Sequence, residues 1–474
     1  VKLSFHGAAG TVTGSRYLLE NGQRRIEIDA GLFQGLKKLR LLNWDNPGFD
    51  PAKVQDILLT HAHIDHSGYL PRLVRAGFQG QVHCTKATEE LAQLLLMDAA
   101  KIQEEDAEYA NKKGFSKHKP ALPLFTAEDA QKALKLFRPV HYEDWIELDK
   151  RSGIRARFHN MGHILGASCL ELRLMGKAAG AKGENETTLV FSGDVGRYDM
   201  PLHRDPDPRP ECDILIVEST YGDRQHDHTP VIEQLRDPFL RTFERGGLVL
   251  IPAFAVGRSQ LVTLLLRDLM NEGQLPEVPI HIDSPMAINA TRIYSRHLHD
   301  CNLEEDLGED GRNRLFPRNV EFHRSVDESK MLNEMSGARV IISASGMMTG
   351  GRILHHLDNR LPDERNLVML AGYQAAGTRG RAILEGAKSI RLHGHSVPVR
   401  AEFREIHGLS AHADSDELMR WIQSARTLPK AIIVTHGEPE SSAAFAQRIE
   451  KETGIRCHVP ALGEAYDLED WLQS

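Results

Sequence analysis

Four side chains able to bind a metal fall within the six-residue run His61-Ala62-His63-Ile64-Asp65-His66. In extended chain, residues two apart face the same way, so His61 and His63 can converge on one ion. Asp65 and His66 lie where the chain turns into Ser67-Gly68-Tyr69-Leu70-Pro71, and there they can face a second ion. Imidazole nitrogen suits zinc, and carboxylate oxygen can share the same coordination shell. Two ions need more ligands than this run holds. His163, in Met161-Gly162-His163-Ile164-Leu165-Gly166, stands between glycines that permit close backbone approach. Asp194 ends the run Ser192-Gly193-Asp194, and its two oxygens can bridge two ions, which an imidazole cannot do. His436, in Val434-Thr435-His436-Gly437-Glu438, again follows an apolar stretch. Any one of these histidines alone reads as a surface or core residue, but their density in one run points to metal-assisted hydrolysis.

The residues that carry this chemistry need rigid elements behind them. Short apolar runs such as 25–29, 57–60, 81–84 and 188–194 read as strands that end in polar or glycine-rich loops. A hairpin turn is expected over the polar stretch 179–187. Residues 87–137 are rich in Ala, Leu, Glu and Lys. They predict helices, broken near the prolines at 120 and 123, that cover the first domain. The run Asp205-Pro206-Asp207-Pro208-Arg209-Pro210 is the most turn-rich and marks an expected boundary. Beyond it, short apolar strands at 214–218, 248–252, 280–283, 340–343 and 367–371 alternate with helical stretches, the pattern of a parallel α/β sheet. A last strand–helix unit begins at 431–435.

The chain has 474 residues, too many for one ordinary core, so two domains or one domain with a large insertion is expected. With 41% hydrophobic and 26% charged residues it reads as a globular enzyme. The five cysteines, Cys84, Cys169, Cys212, Cys301 and Cys457, are scattered and form no C-x-x-C pair, which argues against a disulfide framework or a cysteine metal site. A net charge of −8 provides no overall basic footprint for nucleic acid. No apolar run approaches the ~18–20 residues of a membrane helix, and no secretory leader pattern follows the first strand. A cytoplasmic protein with no membrane attachment is expected.

The six-residue run, followed in order by His163, Asp194 and His436, resembles the metallo-β-lactamase fold, an αββα sandwich with ligands on loops at one sheet edge. The resemblance implies His61, His63 and His163 on one metal, Asp65, His66 and His436 on the other, and Asp194 between them. Asp29, in Ile28-Asp29-Ala30-Gly31, matches the family's first acidic motif and is expected to orient ligands and water. Three further runs, Ile216-Val217-Glu218-Ser219-Thr220-Tyr221-Gly222, Gly408-Leu409-Ser410-Ala411-His412-Ala413-Asp414 and Thr435-His436-Gly437-Glu438, resemble the motifs of the β-CASP subfamily. In that subfamily a parallel α/β domain is inserted into the lactamase fold. The expected organisation is therefore residues 1–208 lactamase domain, 209–387 inserted domain and 388–474 lactamase domain resumed. The resemblance spans nearly the whole chain and is strongest to bacterial and archaeal homologues of the endonuclease subunit of the cleavage and polyadenylation specificity factor.

That resemblance implies a hydrolase cutting nucleic-acid phosphodiesters with two zinc ions, manganese being an alternative. Catalytic roles fall to Asp65, His412, Glu218 and Asp29. His412 would contact the scissile phosphate or protonate the leaving oxygen, with Glu218 orienting it. Ser345, Arg381 and Arg258 lie in glycine-containing loops suited to phosphate. Within the subfamily His at the position of His436 goes with RNA substrates, so single-stranded RNA is the expected partner and an endonuclease the expected mode. A 5′-exoribonuclease and a small-ester metallohydrolase of the same fold are the alternatives. The latter leaves Glu218, His412 and the insertion unexplained. A non-catalytic role predicts a lost ligand, and none is lost. The lactamase pattern begins at residue 2 and the chain ends soon after His436, so no added RNA-binding module is expected at either end. A homodimer and further protein partners stay open.

Overall fold

Alternating apolar residues turn the first runs of the chain into paired strands. In the computed structural model, which describes residues 1–114, 116, 118–177, 184–227, 229–303, 319–372, 374 and 378–472, two compact units are present. One comprises Val1–Asp199, Arg204–Gln225 and His412–Ser474, and the other Met200–His203 and His226–Ala411.

The first unit is a sandwich of two seven-stranded sheets. One sheet runs in the order Ala465–Asp467, Lys2–Phe5, Tyr17–Asn21, Arg24–Ile28, Asp56–Leu58, Gln81–Thr85 and Phe137–Val140. From Arg24–Ile28 onward its neighbours are parallel. The other runs Cys457–His458, Ala431–Thr435, Ile214–Glu218, Glu184–Phe191, Ser168–Lys177, Ile154–Asn160 and Ile146–Asp149. Leu3, Phe5, Leu19, Ile26 and Ile28 from the first sheet pack with Phe158, Leu170, Leu172, Phe191, Ile214 and Ile433 from the second, all essentially without solvent contact. This is the filling of a two-sheet core. The helical region matches expectation. Helix Lys86–Lys113 starts at Thr85, whose hydroxyl accepts from the Thr88 amide, and ends at Gly114 with φ 67°. Its Leu91, Ala92, Leu96 and Ala100 are buried. A second helix, Ala127–Leu134, follows a capping box at Thr126. The hairpin turn expected at 179–187 falls largely outside the described residues.

The second unit contains a six-stranded parallel sheet, ordered Val320–Phe322, Ile280–Ile282, Val340–Ser343, Val249–Pro252, Leu367–Leu370 and Glu402–Glu405. A hairpin of Ser389–Leu392 with His395–Pro398 packs beside it through Ile390, Leu392 and Val397.

Both expected domain boundaries shift. Strand Ile214–Glu218 was expected to open the inserted sheet, but it lies in the second sandwich sheet, parallel to Glu184–Phe191 and Ala431–Thr435. Every residue of Ile214–Glu218 is buried, and burial on both faces requires a central place. The turn-rich run at 205–210 is no linker. The Asp207 amide donates to the Asn160 carbonyl at 2.9 Å, and Trp421 Nε1 donates to the Asp207 carbonyl at 3.0 Å. Arg209, 2% exposed, donates to the carbonyls of Ile422, Pro210 and Thr427. The first boundary thus falls after Gln225 rather than at 208. The return falls at His412 rather than 388, because Glu402–Glu405 pairs with Leu367–Leu370 and keeps the chain in the inserted sheet.

Arg209 fastens the 205–212 strap to the segment 421–427. Replacing it by Met strands several buried carbonyl acceptors, each costing about 1–3 kcal/mol. Arg209→Met is expected to lower stability by about 3 kcal/mol or more in thermal or denaturant unfolding of the first unit. Arg209→Lys should recover only part of this, since one ammonium cannot reproduce the planar fork.

Candidate metal centre

Parallel strands leave their loops at one end, and the carboxyl ends of such strands are where α/β proteins collect polar site residues. Both sandwich sheets do this. Asp29 follows Arg24–Ile28, and Thr60 and His61 follow Asp56–Leu58. Asp194 follows Glu184–Phe191, Glu218 closes Ile214–Glu218, and His436 follows Ala431–Thr435. Asp29, Glu218, His412 and the seven expected metal ligands all lie within the first unit, whereas Ser345, Arg381 and Arg258 belong to the second. Backbone ties hold the loops: the Ser168 amide donates to the Thr60 carbonyl at 2.9 Å, and the His436 amide to the Ala8 carbonyl at 2.7 Å.

His163 stands on the turn between Ile154–Asn160 and Ser168–Lys177. Thr85 and Thr88 both donate to the Gly166 carbonyl at 2.8 Å and fix that turn. Gly162, with φ 63°, permits an approach that a side chain would block: a Cβ there would lie 2.1 Å from the Arg204 carbonyl oxygen.

Two groups of potential ligands result. In the first, His63 Nδ1 lies 3.1 Å from both His61 Nε2 and His163 Nε2, and Asp194 Oδ2 lies 3.4 Å from each of the latter. In the second, His66 Nε2 is 3.0 Å from His436 Nε2, and Asp65 Oδ2 is 3.9 Å from His436 Nε2. Asp194 Oδ1 turns to this second group, 3.2 Å from His66 Nε2. The carboxylate therefore offers one oxygen to each group.

The donor set fits divalent cations. Metal–nitrogen bonds of about 2.0–2.1 Å in a tetrahedral shell separate ligand atoms by roughly 3.3 Å, close to the spacings here. Asp194 Oδ1 is buried and accepts no hydrogen bond, an expensive state for a carboxylate oxygen unless a cation satisfies it. Burial pushes His61 down to about 3 and His163 well below its ordinary value, so both imidazoles are neutral, as ligands must be. Burial works against the Asp194 charge as well, but His66, His436 and His61 outweigh it and hold the carboxyl well below the usual range.

Asp29 touches the ligands from behind. Its Oδ1 accepts from the Thr60 amide at 2.7 Å, and its Oδ2 meets the Thr60 hydroxyl at 2.9 Å and His66 Nδ1 at 2.7 Å. It fixes the ring of His66 with Nε2 toward Asp194, the arrangement expected of a carboxylate behind a metal-binding histidine. Thr60 was passed over in the sequence as a strand end. Its hydroxyl also lies 3.1 Å from His61 Nδ1, and its place directly before His61 was the available signal. Thr220 plays a similar part, its hydroxyl 3.2 Å from His436 Nδ1.

His412 joins the same site. Its ring lies 4.4 Å from that of His163, and its Nε2 is 3.9 Å from Asp194 Oδ2. Glu218 Oε1 lies 3.2 Å from His412 Nδ1 and accepts from the Val195 amide at 2.6 Å. Burial opposes a charge on His412, yet Glu218 and Asp194 together push it up to about 9. These carboxylates favour the protonated ring, and its Nε2 faces the centre.

Ser345, Arg258 and Arg381 belong to the second unit. Ser345 follows Val340–Ser343, and its hydroxyl lies 3.0 Å from that of Thr349. Arg258 opens helix Arg258–Asn271 and donates to the Ala371 carbonyl, beside Gly372. Both stand at the carboxyl ends of parallel strands. Arg381 lies on helix Arg379–Leu384 and pairs with Glu385 at 2.7 Å. Of the expected loop 372–381, residues 373 and 375–377 lie outside the described residues.

Residues 9–168 match the metallo-beta-lactamase superfamily, 259–383 the Beta-Casp domain, and 396–460 the Zn-dependent metallo-hydrolase RNA specificity domain. Ribonuclease TTHA0252 of Thermus thermophilus is 37% identical over 93% of this chain and 94% of its own. The RNase J-like protein of Methanocaldococcus jannaschii is 31% identical over 98% and 99%. Transcription termination factor FttA of the same organism is 30% identical over 97% of this chain and 70% of its own. A crystal structure of a protein of unknown function from Enterococcus faecalis matches with a TM-score of 0.53 and 14% identity over 98% of this chain and 99% of that one, a likeness of fold alone. With the three domains matched in order and such identity sustained along nearly its whole length, the chain belongs to the β-CASP family of metallo-β-lactamase-type hydrolases.

Proposed function

We propose that this chain is a ribonuclease that hydrolyses phosphodiester bonds within single-stranded RNA, using two zinc ions, for which manganese can substitute. The observation that carries the reading is Asp194, whose two oxygens face two separate groups of ligands while His412 approaches from a third side. His61, His63 and His163 would hold one ion, Asp65, His66 and His436 the other, and Asp194 both. The names of the relatives, a ribonuclease and an RNase J-like protein among them, support RNA as the substrate.

Bound there, two such ions supply an activated water and neutralise charge on the phosphoryl oxygens. The chain's own residues do the rest. Asp29 keeps the His66 ring in place. Glu218 holds His412 by Nδ1, leaving the Nε2 proton facing the centre. As water adds to phosphorus and the P–O bond to the leaving oxygen breaks, His412 gives its proton to that oxygen. Ser345, Arg258 and Arg381 would bind phosphates of the RNA, two guanidinium forks being suited to that task. Among the described residues no helix is long and apolar enough to cross a membrane, and a cytoplasmic setting fits an RNA substrate. Self-association and protein partners are open to direct measurement.

Zinc-loaded protein is expected to cut a 5′-labelled unstructured RNA into internal fragments and to leave the same sequence as DNA intact. Single 5′ nucleotides would move the assignment to a 5′-exoribonuclease. No cleavage with both metals bound, together with turnover of short esters, would replace it with a small-ester hydrolase.

His412→Ala should lower the cleavage rate by ~100- to 10,000-fold, the usual contribution of a positioned general acid, with metal content unchanged. Glu218→Gln should cause a smaller loss through the same step. A variant His412→Ala that cuts like the parent would remove His412 from the mechanism.

Asp29→Asn is expected to weaken metal retention by ~10- to 100-fold in chelator competition, as loss of a ligand-orienting carboxylate does elsewhere, while the far-ultraviolet circular dichroism stays that of the parent.

A further inference from the structure

The inserted unit carries a second set of ligand-type side chains that the proposed mechanism does not use. Strand Ile280–Ile282 runs parallel to the edge strand Val320–Phe322, with His281 directly opposite Glu321. Register partners in a parallel pair project to the same face, and so do residues two apart on one strand. His323, two residues beyond Glu321, therefore joins His281 and Glu321 on one face. His281 Nδ1 lies 3.1 Å from His323 Nε2 and 3.3 Å from Glu321 Oε2, and His323 Nε2 lies 3.9 Å from the same oxygen. All three ligand atoms fall within 4.8 Å of one another.

We propose that His281, Glu321 and His323 bind a divalent transition metal of the zinc class, separate from the hydrolytic centre. Two imidazoles and one carboxylate are a recurrent zinc donor set, and a tetrahedral shell with bonds of about 2.0–2.1 Å spaces its ligands roughly 3.3 Å apart, near the first two distances. The two histidines are buried at 2% and 8% exposure, whereas the Glu321 side chain is 54% exposed. The site thus has a buried side and an open side through which an ion and a water, as fourth ligand, can enter. Arg339 bears on His281 as an opposing cation, offset by the nearby Asp283. Asp283 itself is held by Arg352, His356 and Ser329 and is not a ligand. The consequence is structural: the ion clips a three-residue edge strand to its neighbour, where the ladder alone provides few hydrogen bonds.

The test uses the full chain, saturated with zinc and then dialysed free of excess. An anomalous difference map at the zinc edge is expected to show a peak ~2.0–2.2 Å from His281 Nδ1, His323 Nε2 and a Glu321 oxygen. Zinc content should fall by one equivalent in both Glu321→Gln and His323→Gln, with RNA cleavage as in the parent. Glu321 is exposed, so its variant tests the site even if His323→Gln does not fold. Density absent at the three residues while the hydrolytic centre is filled would overturn the proposal, and so would equal zinc content in parent and Glu321→Gln.

Discussion

A buried carboxylate surrounded by buried imidazoles organises the lactamase-type unit of this protein. Asp194 sits at 2% exposure with one oxygen accepting no hydrogen bond and the other 3.4 Å from two histidine nitrogens. Imidazole nitrogens facing each other at 3.0–3.1 Å cannot all donate and accept in turn. His61, His66, His163 and His436 are buried, and the cost of leaving such groups unmet is several kcal/mol. Cations resolve the arrangement at a stroke, because every lone pair then has the same kind of partner. The surroundings are built to hold these groups in that unfavourable proximity until a metal relieves it.

Holding them takes two sheets rather than one. The first sheet delivers His61 and His63 on the loop after one strand and Asp65 and His66 on the short helix Ile64–Ser67 that follows, and the second delivers His163, Asp194 and His436 on three loops. Their shared apolar core sets the distance between those loops. Rigidity in the loops comes from backbone conformations that few residues adopt. Asp29 and His436 both have positive φ, at 58° and 49°, a strained choice for non-glycine residues that recurs at functional sites. Each is offset by hydrogen bonds, Asp29 through Thr60 and His66, and His436 through Ala8 and Thr220.

Strand Ile214–Glu218 shows how the insertion and the site depend on each other. It is central in the second sheet, yet its last residue is the partner of His412, which lies at the very start of the returning segment. The isolated bridge between Gly196 and His412 fastens that return to the loop bearing Asp194. The chain can therefore leave for almost two hundred residues and come back with its imidazole in register. The inserted unit keeps a separate parallel sheet and a separate core, and its own group of histidines stands on one of its edges.

The residue types and spacing of the run 61–66 were enough to expect a metallo-hydrolase, the family the chain matches, because a strand end allows few ways to place four ligand-type side chains in six positions. The same holds for His163, Asp194 and His436, which stand at the ends of apolar runs, and for the helices of 86–134, whose composition and caps are local properties. Which strand pairs with which is not local. Ile214–Glu218 is as apolar as any strand of the inserted sheet, so only its neighbours reveal its membership, and the boundaries expected at 208 and 388 moved with it. The proline-rich run at 205–210 read as a domain boundary because turn residues look alike whether exposed or strapped down. Burial of Arg209 against carbonyls more than two hundred residues away decides between the two. The parts played by Thr60 behind His61, and by His281, Glu321 and His323 on adjacent strands, likewise needed the tertiary structure, since pairing across strands joins residues that the order of the chain keeps apart.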